Sequence, residues 1–489
     1  MRHFIALGTP VQFLHKRICI PCFCQLQKWF IMNLNFPTRS NCFPRRSLPD
    51  VIISHITQFL APKDLGNMLR VNRYFRRLFS APYFWREITV IVCLSKTEGK
   101  SEQIDTWILQ GIKSRGITEL VIQNSKCDEE NDVIEVILQS LGSQLERISF
   151  AFTGLSIFPI LRKAAVAGNW KLKKIDLRDI HWMTSYEQFT GVLQQLPGLE
   201  EIILGYNLGG VRPSLHSTFS PGGRAFELKL GMDLLRGLNC FAGKLTSISL
   251  IHGALVEAHF KALISNPNIQ VLTLASIYIA SRGIQDNQET KSVGCPSLTL
   301  LEVTDCPLVV TETLLSWIFP GSAQNETLTS LKVTRCHVSS LFTILPRLPA
   351  LTKLNLTGTR LPGNLSLVVH ILTKLEWVDL NGSTRIRGEE LNELSKFVGK
   401  TLRYLGLAGL SVTDAQLRNV APMFPVLRTL DLSGCTGISD ALLVEWYIKH
   451  DDKQWPRLRK LILKNCENIT QEVVKSTRLR TRNQLLIDM

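Results

Sequence analysis

From residue 117 onward one short pattern of apolar and polar positions recurs along the chain. Residues Leu427 to Cys435 show it in full, reading L-R-T-L-D-L-S-G-C, with apolar residues at the first, fourth and sixth places and cysteine at the ninth. Strong copies begin at Leu298 (ending in Cys306), Leu328 (Cys336) and Leu458 (Cys466). Looser ones begin at Ile117, Leu145, Leu172, Leu199, Leu245, Ile269, Leu351, Leu375 and Leu402. That makes thirteen starts, spaced 23 to 31 residues apart with one gap of 46. The alternation around the fourth and sixth places predicts a short strand with one buried face. A single unit cannot bury that face. Stacked units with in-register parallel strands, and the rest of each unit as helix or turn on the outside, make one continuous core.

In period and spacing the chain resembles leucine-rich repeats. The resemblance implies an α/β solenoid, a curved parallel sheet with outer helices, spanning residues 117–470. It also places the ninth-position cysteine as a small buried cap on the turn after the strand. The wide gap holds Gly209, Gly210, Pro213 and Pro221 to Gly223, so residues 208–224 read as a long loop, with a further unit hidden at Ala225, Leu228 and Leu230. Residues 471–489 read as a basic tail ending in the apolar Leu485, Leu486 and Ile487.

Upstream the character differs. Residues 1–46 contain no Asp or Glu but carry Arg2, Lys16, Arg17, Lys28, Arg39, Arg45 and Arg46. They read as a disordered basic extension, with a mitochondrial transit peptide as the alternative. Cys19, Cys22 and Cys24 lack the second ligand pair a zinc finger would need. Residues 47–87 then form three short amphipathic helical stretches. Pro49 stands at the first helix start, Ile52, Ile56, Phe59 and Leu60 follow at helical spacing, and Pro62 and Pro82 act as breaks. Residues 88–116 read as a linker and a degenerate cap repeat whose apolar run, Ile88 to Leu94, starts the sheet.

The run from Leu48 to Arg86 resembles the F-box. The matching residues are Leu48, Pro49, Ile52, Ile56, Leu60, Lys63, Asp64, Leu65, Val71, Arg73, Leu78, Trp85 and Arg86. Asn72 and Phe75 stand where the motif has Cys and Trp. An F-box followed by leucine-rich repeats resembles the substrate receptors of SCF-type cullin–RING ubiquitin ligases. It implies a Skp-type adaptor bound through Leu48, Pro49, Ile52, Ile56, Leu60, Leu65 and Val71, a cullin scaffold beyond it, and a protein target on the repeats.

Composition narrows the alternatives. The chain has 489 residues, 45% of them apolar, and a formal charge of +15. No apolar run is long enough to span a membrane. The twelve cysteines are scattered and form no disulfide framework, which points to a reducing compartment, cytoplasmic or nuclear. Phosphate-loop spacing is missing around Lys244 and Lys400, and no Ser/His/Asp or Cys/His set assembles, so neither catalysis nor a cofactor or metal is expected.

Positions three, five and seven of each unit should line the concave side of the sheet. They hold Arg147, Lys174, Arg178, Lys332, Lys353, Lys460 and Lys464 against Glu119, Asp176, Glu201, Glu302, Asp379 and Asp431. So mixed a surface argues against a groove that tracks nucleic-acid phosphates. Trp377 and Tyr404 fall at position three of successive units, which places them side by side, with Lys353 and Asp379 near by, as a target-binding patch. The rival readings are a repeat scaffold with no ligase role and a nucleic-acid or phosphoinositide binder using basic surface elsewhere.

Overall fold

The computed structural model describes residues 12–13, 89–94 and most of 113–489. Excepted are 125–131, 153–160, 163–169, 179–185, 206–237, 239–243, 280–293, 361–369, 384–387, 450–454 and a few single residues or pairs. The expected adaptor residues Leu48, Pro49, Ile52, Ile56, Leu60, Leu65 and Val71 lie outside the described residues. So do the 208–224 loop and the unit suspected at Ala225.

The chain divides into two compact units, the first built mainly from residues 1–184 and the second mainly from residues 212–489. In the first unit Thr89–Leu94 (β1), Glu119–Asn124 (β2), Arg147–Phe152 (β3) and Lys174–Leu177 (β4) pair in parallel and in chain order. The apolar run before residue 95 therefore joins the sheet and starts its parallel part, while the two-residue strand Gln12–Phe13 pairs antiparallel with it as the outermost strand. Helix α1, Asp132–Leu141, supplies Ile134, Ile137, Leu138 and Leu141 to a core that also holds Leu120, Ile122, Ile148 and Phe150, all at most 2% exposed.

In the second unit eleven strands run parallel in chain order: β5 Glu201–Gly205, β6 Ser247–Ile251, β7 Val271–Ala275, β8 Leu300–Thr304, β9 Ser330–Thr334, β10 Lys353–Asn355, β11 Trp377–Asp379, β12 Tyr404–Gly406, β13 Thr429–Asp431, β14 Lys460–Ile462 and β15 Leu486–Asp488. In all thirteen repeats the strand begins at position three. Positions one, four and six point into the core, as Leu402, Leu405 and Leu407 do with no exposed surface. Each such leucine contributes about 1.5–3 kcal/mol by leaving water.

Three features of the turn after the strand weld one repeat to the next. At position eight the backbone is left-handed in nine units, with φ from 52 to 70° at His252, Ser276, Asp305, Arg335, Gly358, Gly382, Gly409, Gly434 and Asn465. That twist aims the position-eight N–H at the position-seven carbonyl of the following unit, from His252 to Ala275 through Gly434 to Lys464. At position nine a side-chain donor reaches back to the position-six carbonyl of the preceding unit. Cys435 donates to Leu407, Cys466 to Leu432, Thr359 to Val333 and Ser383 to Leu356. The ninth-position cysteines are buried and free, as expected, and serine or threonine does the same work.

The third feature links helix starts. Thr413 caps α2, Asp414–Val420, in a reciprocal capping box with Gln416. Asp414, in the first turn, accepts the N–H (3.1 Å) and hydroxyl (2.6 Å) of Ser439, which caps the next helix. Asp440 then accepts the N–H (2.7 Å) and hydroxyl (2.8 Å) of Thr470, which caps α3, Gln471–Arg480. Residues 471–489, expected as a tail, are thus a helix followed by an edge strand. Buried Leu485 and Ile487 and the Lys464–Asp488 ion pair (3.3 Å) hold that strand on the sheet. Its alternation is too short to stand out in the sequence.

Candidate functional site

The open face of the second unit is lined by positions three, five and seven. Register fixes what meets there. Along the position-three row Lys353, Trp377, Tyr404, Thr429 and Lys460 are consecutive partners on adjacent strands. Along the position-five row Asn355, Asp379, Gly406, Asp431 and Ile462 are.

The expected neighbours do meet. The Trp377 and Tyr404 rings stack with centroids 4.6 Å apart and planes inclined by 12°. Both are half-buried, leaving ring surface open to a partner. Lys353, one strand further, is exposed. Asp379 differs in kind, being only 8% exposed and facing the row behind the rings.

Gly406, Asn381 and Ser433, which were not singled out, and Asp431, named only as a charge on the concave face, complete the arrangement. Gly406 removes a side chain between two aspartates, and Asp379 leans into the space: a Cβ on Gly406 would lie 2.5 Å from its Oδ1 and 2.8 Å from Oδ1 of Asn381. Asn381 accepts the backbone N–H of Ala408 at 2.6 Å and donates through Nδ2 to Asp431 at 3.2 Å. Asp431 in turn accepts the N–H (3.0 Å) and hydroxyl (2.6 Å) of Ser433, while Asp379 accepts the N–H of Asn381 at 3.1 Å. Aligning the repeats by position would have exposed this: Gly406 stands at position five between Asp379 and Asp431.

The electrostatics follow from that crowding. Burial, then the neighbouring Asp431, raises the Asp379 carboxyl above its ordinary range, against the pull of the Asn381 N–H. Burial and both carboxylates push the Tyr404 phenol up, so it stays protonated and able to donate. In the second unit Glu302 pairs with Lys332 and Asp488 with Lys464, and in the first unit Glu119 pairs with Arg147 (3.4 Å) and Asp176 with Arg178 (2.6 Å). Among the described residues Asp379 and Asp431 have no ion-pair partner. No group of three or more His, Cys, Asp or Glu among the described residues is placed to hold a metal. None of their helices is long and apolar enough to cross a membrane.

Register, burial and the recurring turn define the class of this fold as an α/β leucine-rich-repeat solenoid. Ahead of it, residues 46–91 match the F-box-like family model, so the chain pairs an F-box-like segment with repeats. Among solved structures, the Rad7 and Elc1 complex in yeast is 14% identical, covering 96% of this chain and 98% of that one, with a TM-score of 0.44. A leucine-rich-repeat protein of Leptospira interrogans is 15% identical, covering 82% and 89%, with a TM-score of 0.39. No curated protein matches the sequence.

Proposed function

We propose that the chain is the substrate-recognition subunit of an SCF-type ubiquitin ligase and itself makes and breaks no bond. Residues Leu48, Pro49, Ile52, Ile56, Leu60, Leu65 and Val71 of the F-box-like segment dock a Skp-type adaptor that leads to a cullin. The open face of the repeats, with Lys353, Trp377, Asp379 and Tyr404 at its centre, holds the target protein. The observation that carries the reading is the match of residues 46–91 to the F-box-like model directly ahead of stacked, in-register repeats. Free, buried Cys306, Cys336, Cys435 and Cys466 suit work in a reducing cytoplasm or nucleus.

The test is co-purification of the tagged full-length chain with a Skp-type adaptor and a cullin, beside a variant carrying Leu48→Ala, Ile52→Ala and Ile56→Ala. Recovery of both by the wild type and of neither by the variant supports the reading. Adaptor without cullin would make the chain a scaffold. Steeply salt-dependent binding of polyanions, with neither partner recovered, would favour a nucleic-acid or phosphoinositide binder.

A further inference from the structure

The pair of aspartates around Gly406 has a chemistry that target binding in general does not require. Several carboxylates on this face are already neutralised by a neighbouring cation, as Glu302 is by Lys332 and Asp488 by Lys464, whereas Asp379 and Asp431 flank the strand of Gly406 and share Asn381 with no ion-pair partner among the described residues. Across Gly406 the two carboxylates repel each other, and one cation set between them relieves both. The lysines of the neighbouring position-three row do not serve: among the described residues neither Lys353 nor Lys460 forms an ion pair with them. Directly beside the pair stands the Trp377–Tyr404 stack, whose half-buried rings suit the apolar stem of a long side chain and the flat face of a guanidinium.

We infer that Asp379 and Asp431, with the Trp377–Tyr404 stack as a wall, form a seat for one arginine or lysine side chain of the protein held on the repeat face. This rests on the reading of that face as the target-binding surface. The occupant is a side chain rather than a metal ion, because only two carboxylates converge and a planar aromatic wall adjoins them. Generic attraction cannot imitate the effect. The chain carries a formal charge of +15, so long-range electrostatics oppose the approach of basic peptides.

The experiment measures fluorescence polarisation of the full-length chain with pools of random octapeptides whose central residue is arginine, lysine, citrulline or glutamate. Citrulline keeps the shape of arginine without the charge. The expected result is arginine- and lysine-centred pools binding about tenfold more tightly than the citrulline pool, with the preference erased in the Asp379→Asn/Asp431→Asn variant. A thermal midpoint in that variant no lower than the wild type shows that the fold is kept. Absence of a charge-dependent preference overturns the inference, whether all pools bind or none do. So does a preference that survives in the double variant, or calcium or magnesium binding that needs both aspartates while peptide binding ignores charge. The adaptor pull-down on the same preparation separates the two failures: adaptor recovered with charge-blind peptide binding sinks only the seat, and adaptor lost sinks the ligase reading.

Discussion

Asn381 donates through Nδ2 to the carboxylate of Asp431 at 3.2 Å, reaching across the strand that carries Gly406. The bridge closes only because that strand offers no side chain at position five. Gly406→Ala would set a methyl 2.5 Å from Oδ1 of Asp379 and 2.8 Å from Oδ1 of Asn381. Both side chains would have to move, breaking the bridge. The expected cost is about 1–3 kcal/mol, read as a lower urea midpoint with unchanged slope.

Asp379 and Glu312 make opposite predictions for pH. The folded-state pKa of Asp379 is raised, by burial and then by Asp431, so the ionised group opposes folding above that pKa and the cost fades as pH falls through it. Glu312 is also partly desolvated, but the N–H groups of Ser339 and Ser340 and the Ser339 hydroxyl outweigh that and lower its pKa. Its contribution is present above the unfolded value and disappears as pH falls through the folded one. At pH 7, Asp379→Asn should therefore be neutral or stabilising and Glu312→Gln destabilising by about 1 kcal/mol. Urea midpoints between pH 7 and pH 4 should show both differences shrinking towards the acid end.

The left-handed residue at position eight gives a paired test. Gly409 has φ of 70° and nothing but backbone near 4 Å, so Gly409→Ala adds strain without a clash. A loss of about 1–2 kcal/mol is expected. Ser276, at φ 52° in the same place of another unit, already carries that strain. Ser276→Gly should return about 1 kcal/mol, less the entropy glycine adds to the unfolded chain. Equal responses at the two sites would remove the common-turn explanation.

The strands were legible because each repeat places two buried apolar residues with one residue between them, and stacking then dictates parallel register. The turn was less so. Asp305, Arg335, His252 and Ser276 adopt the same left-handed backbone as Gly409 without being glycine, so only Gly358, Gly382, Gly409 and Gly434 betray it. The stack of Trp377 on Tyr404 could be read from spacing alone, since both occupy one position of adjacent units. Asp431 was visible as a charge but not as part of a site, because its link to Asp379 runs through Asn381 and depends on a missing side chain between them. The F-box resemblance over Leu48 to Arg86 agrees with the family match at residues 46–91, an agreement at the level of motif.

At Cys435 and at Cys295 burial predicts chemical silence. Burial pushes the Cys435 thiol up to about 11, and its sulfur donates to the Leu407 carbonyl at 3.2 Å. Folded protein at pH 8 should leave Cys435 and Cys295, the latter pushed up to about 12, unmodified by iodoacetamide until denaturant is added, as peptide mass mapping would show. Cys435→Ser keeps the donor and should cost less than Cys435→Val, which leaves the carbonyl without its partner at about 1–3 kcal/mol.

The last prediction concerns the aromatic stack itself. The core residues beside Trp377 and Tyr404, Val378 and Leu405, are fully buried on the opposite side of the strands. Truncating both rings should therefore disturb the repeat little, about 0.5–1.5 kcal/mol for the lost ring pair. If the rings anchor the target, the same change should weaken target capture by a hundredfold or so, a loss of two or more kcal/mol typical of a hot spot. Adaptor recovery reports on the F-box-like segment and should not change. A Trp377→Ala/Tyr404→Ala chain that keeps its adaptor and still captures the target at wild-type strength would reduce the stack to a brace between strands.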